Sequence, residues 1–169
     1  MSEYLGIVQD NRFTILVPEA DYCCSLKLTR ISKPSPLSED VVTSHEIDLS
    51  GYEGSAIMVR GDLPEERGWI YAAEVIDQSG PIITAMIKRM FWVEDEAAMT
   101  ACKEAFSPYS EDYVPPYDIF QVAKEIDEWL VRLAMNLEEK EKYSDVRDVL
   151  KSRINLISVM TQADVWEED

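Results

Sequence analysis

Cysteine and histidine, the residues most often used for redox and metal chemistry, are scarce in this chain. Its 169 residues include three Cys and one His. Three thiols cannot all pair within one chain, and Cys23 and Cys24 are adjacent, so we expect no disulfide framework and a reducing, cytoplasmic location. Neighbouring strand residues point to opposite faces, so both cysteines cannot readily bind one zinc ion together with His45. We therefore expect no metal and no cofactor.

The sequence motifs of catalysis and nucleotide binding are missing as well. The six Gly residues never form Gly-x-Gly-x-x-Gly, and no Gly-rich stretch precedes a Lys-Ser or Lys-Thr pair. The 33 acidic residues make any single carboxylate pair, such as Glu74 and Asp77, uninformative as a general acid and base. We therefore predict a protein that is not an enzyme, with no catalytic residue.

Long hydrophobic runs are absent too. The longest, Ile82–Val93, is broken by Lys88 and Arg89, whereas a membrane-spanning helix needs about 20 apolar residues. The N-terminus has no cationic segment followed by an apolar stretch, which a signal peptide would show. We expect neither a signal peptide nor a membrane span.

Positive charge is scarce relative to negative charge, and the excess is uneven. The formal net charge is −17, of which the residues before Glu94 contribute −6 (14 acidic, 8 basic) and the rest −11 (19 acidic, 8 basic). A polyanion repels the phosphate backbone, so nucleic-acid binding is disfavoured. The charge serves solubility, or it lets the acidic region dock on a basic protein surface or imitate nucleic acid.

Residues 1–93 predict short strands separated by turns. Tyr4–Val8 and Phe13–Val17 flank an Asp-Asn pair that tolerates the left-handed backbone of a tight turn, so we expect a β-hairpin. Alternation over residues 22–30 predicts a half-buried strand. The Pro- and Ser-rich stretch Ser32–Ser44 predicts a loop. Further strands are predicted over 45–49, Ala56–Arg60, Trp69–Ile76 and Ile82–Trp92. Six or seven such strands favour a small antiparallel barrel.

Part of this region resembles the OB-type β-barrel domains of bacteria and archaea. In such domains an acid-Leu-Ser-x-Tyr-x-Gly turn leads into a core strand that ends in Arg-Gly, and residues 46–61 read EIDLSGYEGSAIMVRG, followed by WIYAAEVI at 69–76 and GPIITAM at 80–86. The matching positions are Asp48, Leu49, Tyr52, Gly54, Val59 and Gly61. They are architectural, so the resemblance implies an OB-like fold for about half of the chain and assigns no functional residue.

The resemblance also implies an alternative function, because OB barrels often bind single-stranded nucleic acid with aromatic side chains on a basic face. The candidate residues for such an oligonucleotide site are Arg60, Trp69, Tyr71, Lys88 and Arg89.

Residues 94–169 predict an acidic helical region. A short helix is expected after Glu94, followed by a strap rich in Pro and Tyr over Ser107–Tyr117. Two long helices, Asp118–Leu137 and Ser144–Met160, are joined by a short charged connection, so they should form an αα-hairpin. Helical spacing predicts one apolar stripe on the first helix from Ile119, Val122, Ile126, Trp129, Leu133 and Leu137, widened by Phe120, Leu130 and Ala134. It predicts another on the second from Val146, Val149, Leu150, Ile154, Ile157 and Met160.

The overall prediction is an α+β protein, with an OB-like antiparallel β-barrel over residues 1–93 and an acidic helical region over residues 94–169. The leading predicted function is that of a non-catalytic cytoplasmic adaptor whose acidic hairpin contacts a protein partner. Alternatively, the apolar stripes of the hairpin pack on a second subunit and form a homodimer. The candidate partner-binding residues are Trp129, Glu125, Glu128, Tyr109, Tyr113 and Trp166. The remaining alternative is a nucleic-acid mimic that uses Glu125, Glu128, Asp127, Asp145 and Asp148.

Overall fold

The computed structural model describes residues 2–18, 25–33, 39–64, 68–91, 93–98, 100, 119–139 and 142–161. It confirms the predicted α+β class, with a curled five-stranded sheet in the N-terminal half and helices after it. Packing divides the chain into two compact units, Met1–Ser79 and Gly80–Asp169. The predicted domains, 1–93 and 94–169, stay a prediction.

The sheet of the first unit is mixed, which corrects the antiparallel barrel expected from the sequence. Its strands are β1 (Ser2–Gln9), β2 (Arg12–Val17), β3 (Lys27–Leu28), β4 (Ala56–Asp62) and β5 (Trp69–Gln78). Their order is β2-β1-β4-β5-β3. Three neighbouring pairs are antiparallel, but β3 runs parallel to β5. Parallel neighbours need a long crossover connection, and here the chain from β3 passes through a helix and through β4 before it reaches β5.

The predicted β1–β2 hairpin is confirmed. Asp10 and Asn11 form its turn with φ angles of 52° and 58°, the left-handed backbone that a two-residue hairpin turn needs. The Glu53 carboxylate accepts hydrogen bonds from both of their backbone N–H groups, at 2.8 and 3.1 Å. The side-chain oxygen of Asn11 accepts a third from the Leu49 N–H at 2.9 Å. The hairpin turn is therefore tied to the chain segment that precedes β4.

The sheet curls until its two edge strands meet at one point. Phe13 of β2 and Leu26 beside β3 exchange two backbone hydrogen bonds of 2.8 Å. The strands therefore follow the ring order 1-2-3-5-4-1, with the 2–3 link made by that single bridge. The ring encloses one apolar core, made of Tyr4, Val8, Phe13, Ile15, Leu26, Leu28, Ile47, Leu49, Ile57, Val59, Ile70 and Ala73.

Two helices occur where the sequence predicted other structure. Helix α1 (Glu39–Ser44) lies within the stretch predicted as a loop. The prediction of a strand over Ile82–Trp92 was wrong, because Pro81–Met90 form a helix, α2. Gly80 is the extended N-cap of α2 and Pro81 occupies its first turn, where a missing N–H costs nothing. Lys88 and Arg89 lie in the last turn, where cations favour the helix dipole.

The αα-hairpin is confirmed within two residues of its predicted bounds. Its helices are α3 (Ile119–Glu139) and α4 (Tyr143–Thr161), and they pack on each other. Helix α2 contacts both of them within the second unit. The predicted strap Ser107–Tyr117, and most of the short helix before it, lie outside the described residues.

The close approach of β1 to β2 gives a direct test at Gly6. A Cβ atom there would overlap the Thr14 carbonyl oxygen and lie 2.6 Å from the Phe13 ring. We expect Gly6→Ala to lower the free energy of unfolding by about 1–3 kcal/mol, as overpacking does. Gly51→Ala is the matched control, because a Cβ at Gly51 meets nothing within 4 Å. Urea denaturation compares the two, and equal stability would contradict this packing.

Candidate functional site

The inner face of the hairpin is apolar and buried. On α3 it follows the predicted stripe closely: Val122, Ala123, Ile126, Leu130, Leu133 and Leu137 are all buried. Trp129 of the same prediction is half-buried, so its ring is partly accessible. This face joins α3 to α4 and to α2, and burial of so many aliphatic side chains is what stabilises helices of this length.

The stripe predicted for α4 is partly wrong. Leu150 and Ile154 were expected to be buried, but 46% and 64% of their surfaces are exposed. The buried positions described on this helix are Val149, Ser152 and Leu156, which recur at helical spacing and place the centre of the inner face about 130° away from Leu150. The predicted stripe shares Val149 with this buried face but omits Leu156, and Ser152, a small polar residue, lies inside the buried face.

An ion pair between α3 and α4 lies at the edge of their contact. Arg153 donates two hydrogen bonds to the Asp127 carboxylate, from Nε at 2.7 Å and from an Nη at 3.1 Å. The hydrogen bond to Asp127, more than the negative charge of that carboxylate, raises the pKa of the Arg153 guanidinium above its ordinary value. Both side chains are more than a third exposed, so the pair contributes little to stability but marks the outer edge of the helix contact.

A row of apolar side chains runs along that outer edge. Val131 and Met135 follow Asp127 at intervals of four, and therefore lie on the same side of α3. Val146, Leu150 and Ile154 form the equivalent row on α4, next to Arg153. Met135 is 59% exposed, and the two valines are half-buried. We call these five residues (Val131, Met135, Val146, Leu150 and Ile154) the outer strip.

Charged residues border the outer strip, and they differ between the two helices. Glu125 and Glu128, both predicted as partner-binding residues, are exposed on α3, where the exposed charged residues, Lys124 and Arg132 included, sum to −2. Arg147 and Lys151 are exposed on α4, whereas Asp145 and Asp148 are half-buried there. Asp127 is engaged by Arg153. The five acids proposed for nucleic-acid mimicry are therefore not equally available.

The residues of the alternative oligonucleotide site differ in accessibility. Tyr71 is buried with 3% of its surface exposed, so its ring offers no stacking face. Arg60 donates to the buried carboxylate of Glu3 at 3.1 Å. Trp69 is half-buried, and the Lys27 ammonium lies 5.4 Å from the centre of its ring.

Lys88 and Arg89, the other two residues of that alternative, belong to α2 in the second unit. Lys88 is buried, and its ammonium donates to Asp95 at 2.8 Å. Arg89 is half-buried and has an interaction of its own. Lys88 is therefore a buried member of an ion pair within the second unit.

Three of the predicted partner-binding residues, Tyr109, Tyr113 and Trp166, lie outside the described residues. Within the described ranges, no three His, Cys, Asp or Glu side chains are grouped so as to hold a metal ion. No helix in the described part of the chain has a stretch both long and apolar enough to span a membrane.

Comparison of the chain with protein-family models, with curated proteins and with solved structures finds no match.

The ion pair between Lys88 and Asp95 generates a prediction with a pH signature. The hydrogen bond from Lys88 lowers the pKa of Asp95 below its ordinary value of 3.8, and a backbone bond from Ala98 lowers it further. We expect Asp95→Asn to lower the free energy of unfolding at pH 7 by about 1–3 kcal/mol, because a buried ammonium loses its charged acceptor.

The sign of the pH dependence follows from that depressed pKa. The contribution of Asp95 is fully present above pH 3.8 and is lost as the pH falls through the lower, folded-state pKa. Thermal unfolding should therefore separate wild type from Asp95→Asn at neutral pH and bring them together in acid. Glu94→Gln, which removes an exposed neighbouring charge, is the control. A pH-independent difference would contradict the proposed pairing.

Proposed function

We propose that the protein is a non-catalytic interaction protein whose αα-hairpin contacts a protein partner through the outer strip. The observation that carries this proposal is the distribution of exposed aliphatic side chains. The described residues expose four large hydrophobic side chains, and three of them, Met135, Leu150 and Ile154, belong to the outer strip. Scattered exposed aliphatics are normal, but a row of them along two adjacent helices is typical of a contact surface.

The charge beside the outer strip supports the same proposal. Glu125 and Glu128 lie on the exposed side of α3, and the whole chain carries a net charge of −17. An apolar centre gives affinity, and bordering charges give orientation and a faster encounter. The surface that fits α3 is therefore apolar at its centre and basic at its rim.

For the first unit we propose an OB-type barrel that serves as the scaffold. Its support is the ring of five strands, closed by one bridge between Phe13 and Leu26, which agrees with the five-stranded, partly open barrel of that fold. The parallel strands β3 and β5 are joined by a long crossover connection, and helix α1 lies within it, between β3 and β4.

Capture from a native lysate tests the leading function if it is made to depend on the outer strip. We expect the wild-type chain to retain a stoichiometric protein partner and Leu150→Glu/Ile154→Glu to lose it. Both positions are largely exposed, so the double variant should fold with an unchanged circular dichroism spectrum and melting temperature. Asn155→Glu, matched to each single variant Leu150→Glu and Ile154→Glu, adds one carboxylate to the same helix away from the strip and should retain the partner.

Capture of the same proteins by all three baits, or of none by the wild type, would contradict an adaptor function in which the hairpin contacts a different protein. Loss of capture by Asn155→Glu as well would mean that added charge alone is responsible.

A second candidate function, binding of single-stranded nucleic acid, is favoured by one observation. Trp69 and Lys27 pair directly across β5 and β3, and both are half-buried. A partly accessible indole next to an ammonium is suited to base stacking and phosphate contact. The net charge of −17 opposes such binding, and we therefore rank it second.

Fluorescence anisotropy with mixed single strands at low salt separates the two candidates. The interaction function predicts no binding, even where electrostatic attraction would be strongest. Binding that weakens with salt and drops by about tenfold in Trp69→Ala, the effect of losing one stacked base, would establish the second candidate. Leu150→Glu/Ile154→Glu is the control, because it leaves β3 and β5 unchanged.

A further inference from the structure

We propose that the outer strip binds the outer strip of a second copy of the chain. The four long helices of the two copies then form a bundle around a two-fold axis that runs parallel to them. This inference rests on the proposed function, in which the strip is a protein contact surface, and adds the identity of the partner.

Each helix of the hairpin has two apolar faces. The inner faces of α3 and α4 are already buried within the second unit, and the outer strip is a second apolar row on the same two helices. In a four-helix bundle each helix packs against two neighbours, so each needs apolar residues on two adjoining sides. A single hairpin leaves the second side exposed to water. A second hairpin laid face to face covers it.

The exposed charges of the two helices are complementary. The exposed charged residues of α3 sum to −2, from four acids and two bases: Lys124, Glu125, Glu128, Arg132, Glu138 and Glu139. Among the described side chains of α4, 145–156, the exposed charged residues are Arg147 and Lys151, which sum to +2. A two-fold axis parallel to the helices places α4 of each copy over α3 of the other. The opposite charges then face each other.

The other face-to-face arrangement is disfavoured by the same charges. A two-fold axis perpendicular to the helices would place α4 over α4, so that Arg147 and Lys151 would face their own equivalents. Like charges that oppose each other across an interface reduce affinity and suppress the wrong pairing.

The ion pair of Asp127 with Arg153 sets the level of each contact. Because α3 and α4 are antiparallel, moving two residues forward from Asp127 corresponds to moving two residues back from Arg153. Lys151 is therefore level with Trp129 and, in the parallel arrangement, lies beside Glu128 of the second copy. The same contact occurs twice in the dimer because the interface is self-complementary.

The size of the hairpin sets the affinity to expect. A helix of 21 residues is about 30 Å long, and two helices side by side are about 20 Å wide, so the face covers at most about 600 Å² per copy. That is near the lower limit of specific interfaces. We expect a reversible dimer with a dissociation constant in the micromolar range, about 1–100 µM.

Sedimentation velocity at physiological salt, over about two orders of magnitude in concentration around that range, tests the dimer. The wild type should move from the monomer mass of 19.3 kDa towards twice that mass as concentration rises. Leu150→Glu and Ile154→Glu should each raise the dissociation constant at least about tenfold, since each puts an unpaired charge in an apolar contact. Asn155→Glu, with the same net charge, should dimerise as the wild type does.

A charge exchange tests the arrangement of the helices. Lys151→Glu alone and Glu128→Lys alone each create two like-charge contacts per dimer, and each should weaken dimerisation by about tenfold. An equimolar mixture of the two variants should dimerise again. In the mixed dimer, both contacts between residues 151 and 128 join opposite charges.

A chain that stays monomeric throughout, or one whose dimer is weakened equally by Asn155→Glu and Ile154→Glu, overturns the proposal. A mixture of charge variants that stays monomeric overturns the placement of α4 over α3. These results test the dimer and do not by themselves test the proposed function. A monomeric chain that still captures another protein through the outer strip leaves that function standing, whereas a strip-dependent dimer that captures no other protein removes the adaptor role and keeps the self-pairing.

Discussion

The first unit depends on β1, which is buried on both of its faces. Tyr4 and Val8 point into the core, while Leu5 and Ile7, on the other face, are buried as well. When both faces of a strand are apolar, the hydrophobic pattern alone does not fix its register, because a shift by one residue exchanges one apolar face for another. The register is set instead by Gly6, where β2 approaches too closely for a side chain, and by the turn that Glu53 holds through two backbone N–H groups.

Local sequence patterns predicted the structure correctly where each pattern is compatible with only one structure. The Asp10-Asn11 turn and the inner face of α3 agree with prediction, since a left-handed turn and a single apolar stripe each have one interpretation. Helix α2 was missed because Ile82–Met90 is apolar on nearly every side, and periodicity then cannot separate a helix from a buried strand. The pair Gly80-Pro81 was the signal that could have found it. The parallel pairing of β3 with β5 involves only two residues, so no sequence pattern specifies it.

The outer strip could not be predicted for a related reason. Leu150 and Ile154 fit a helical stripe as well as Val149 and Leu156 do, and only the position of α3 decides which set is buried. Ser152 and Arg153 indicate which side of α4 is buried. Ser152 is small enough to lie within the helix contact, and Arg153 reaches Asp127 at the edge of that contact. The hairpin thus has a buried face that holds the second unit together and an exposed face that α3 and α4 border with opposite charge. Among the described residues, none covers this second face.

The most direct test of that account is the methyl NMR signal of Met135 as a function of protein concentration. Met135 lies in the outer strip with 59% of its surface exposed, whereas Met58 is buried in β4 with 1% exposed. With methionine methyl groups labelled with ¹³C, the Met135 signal should shift progressively with concentration, through the range in which the mass rises, while the Met58 signal stays unchanged. A Met135 signal that is independent of concentration, in a protein whose mass does increase, would contradict the outer strip as the contact surface.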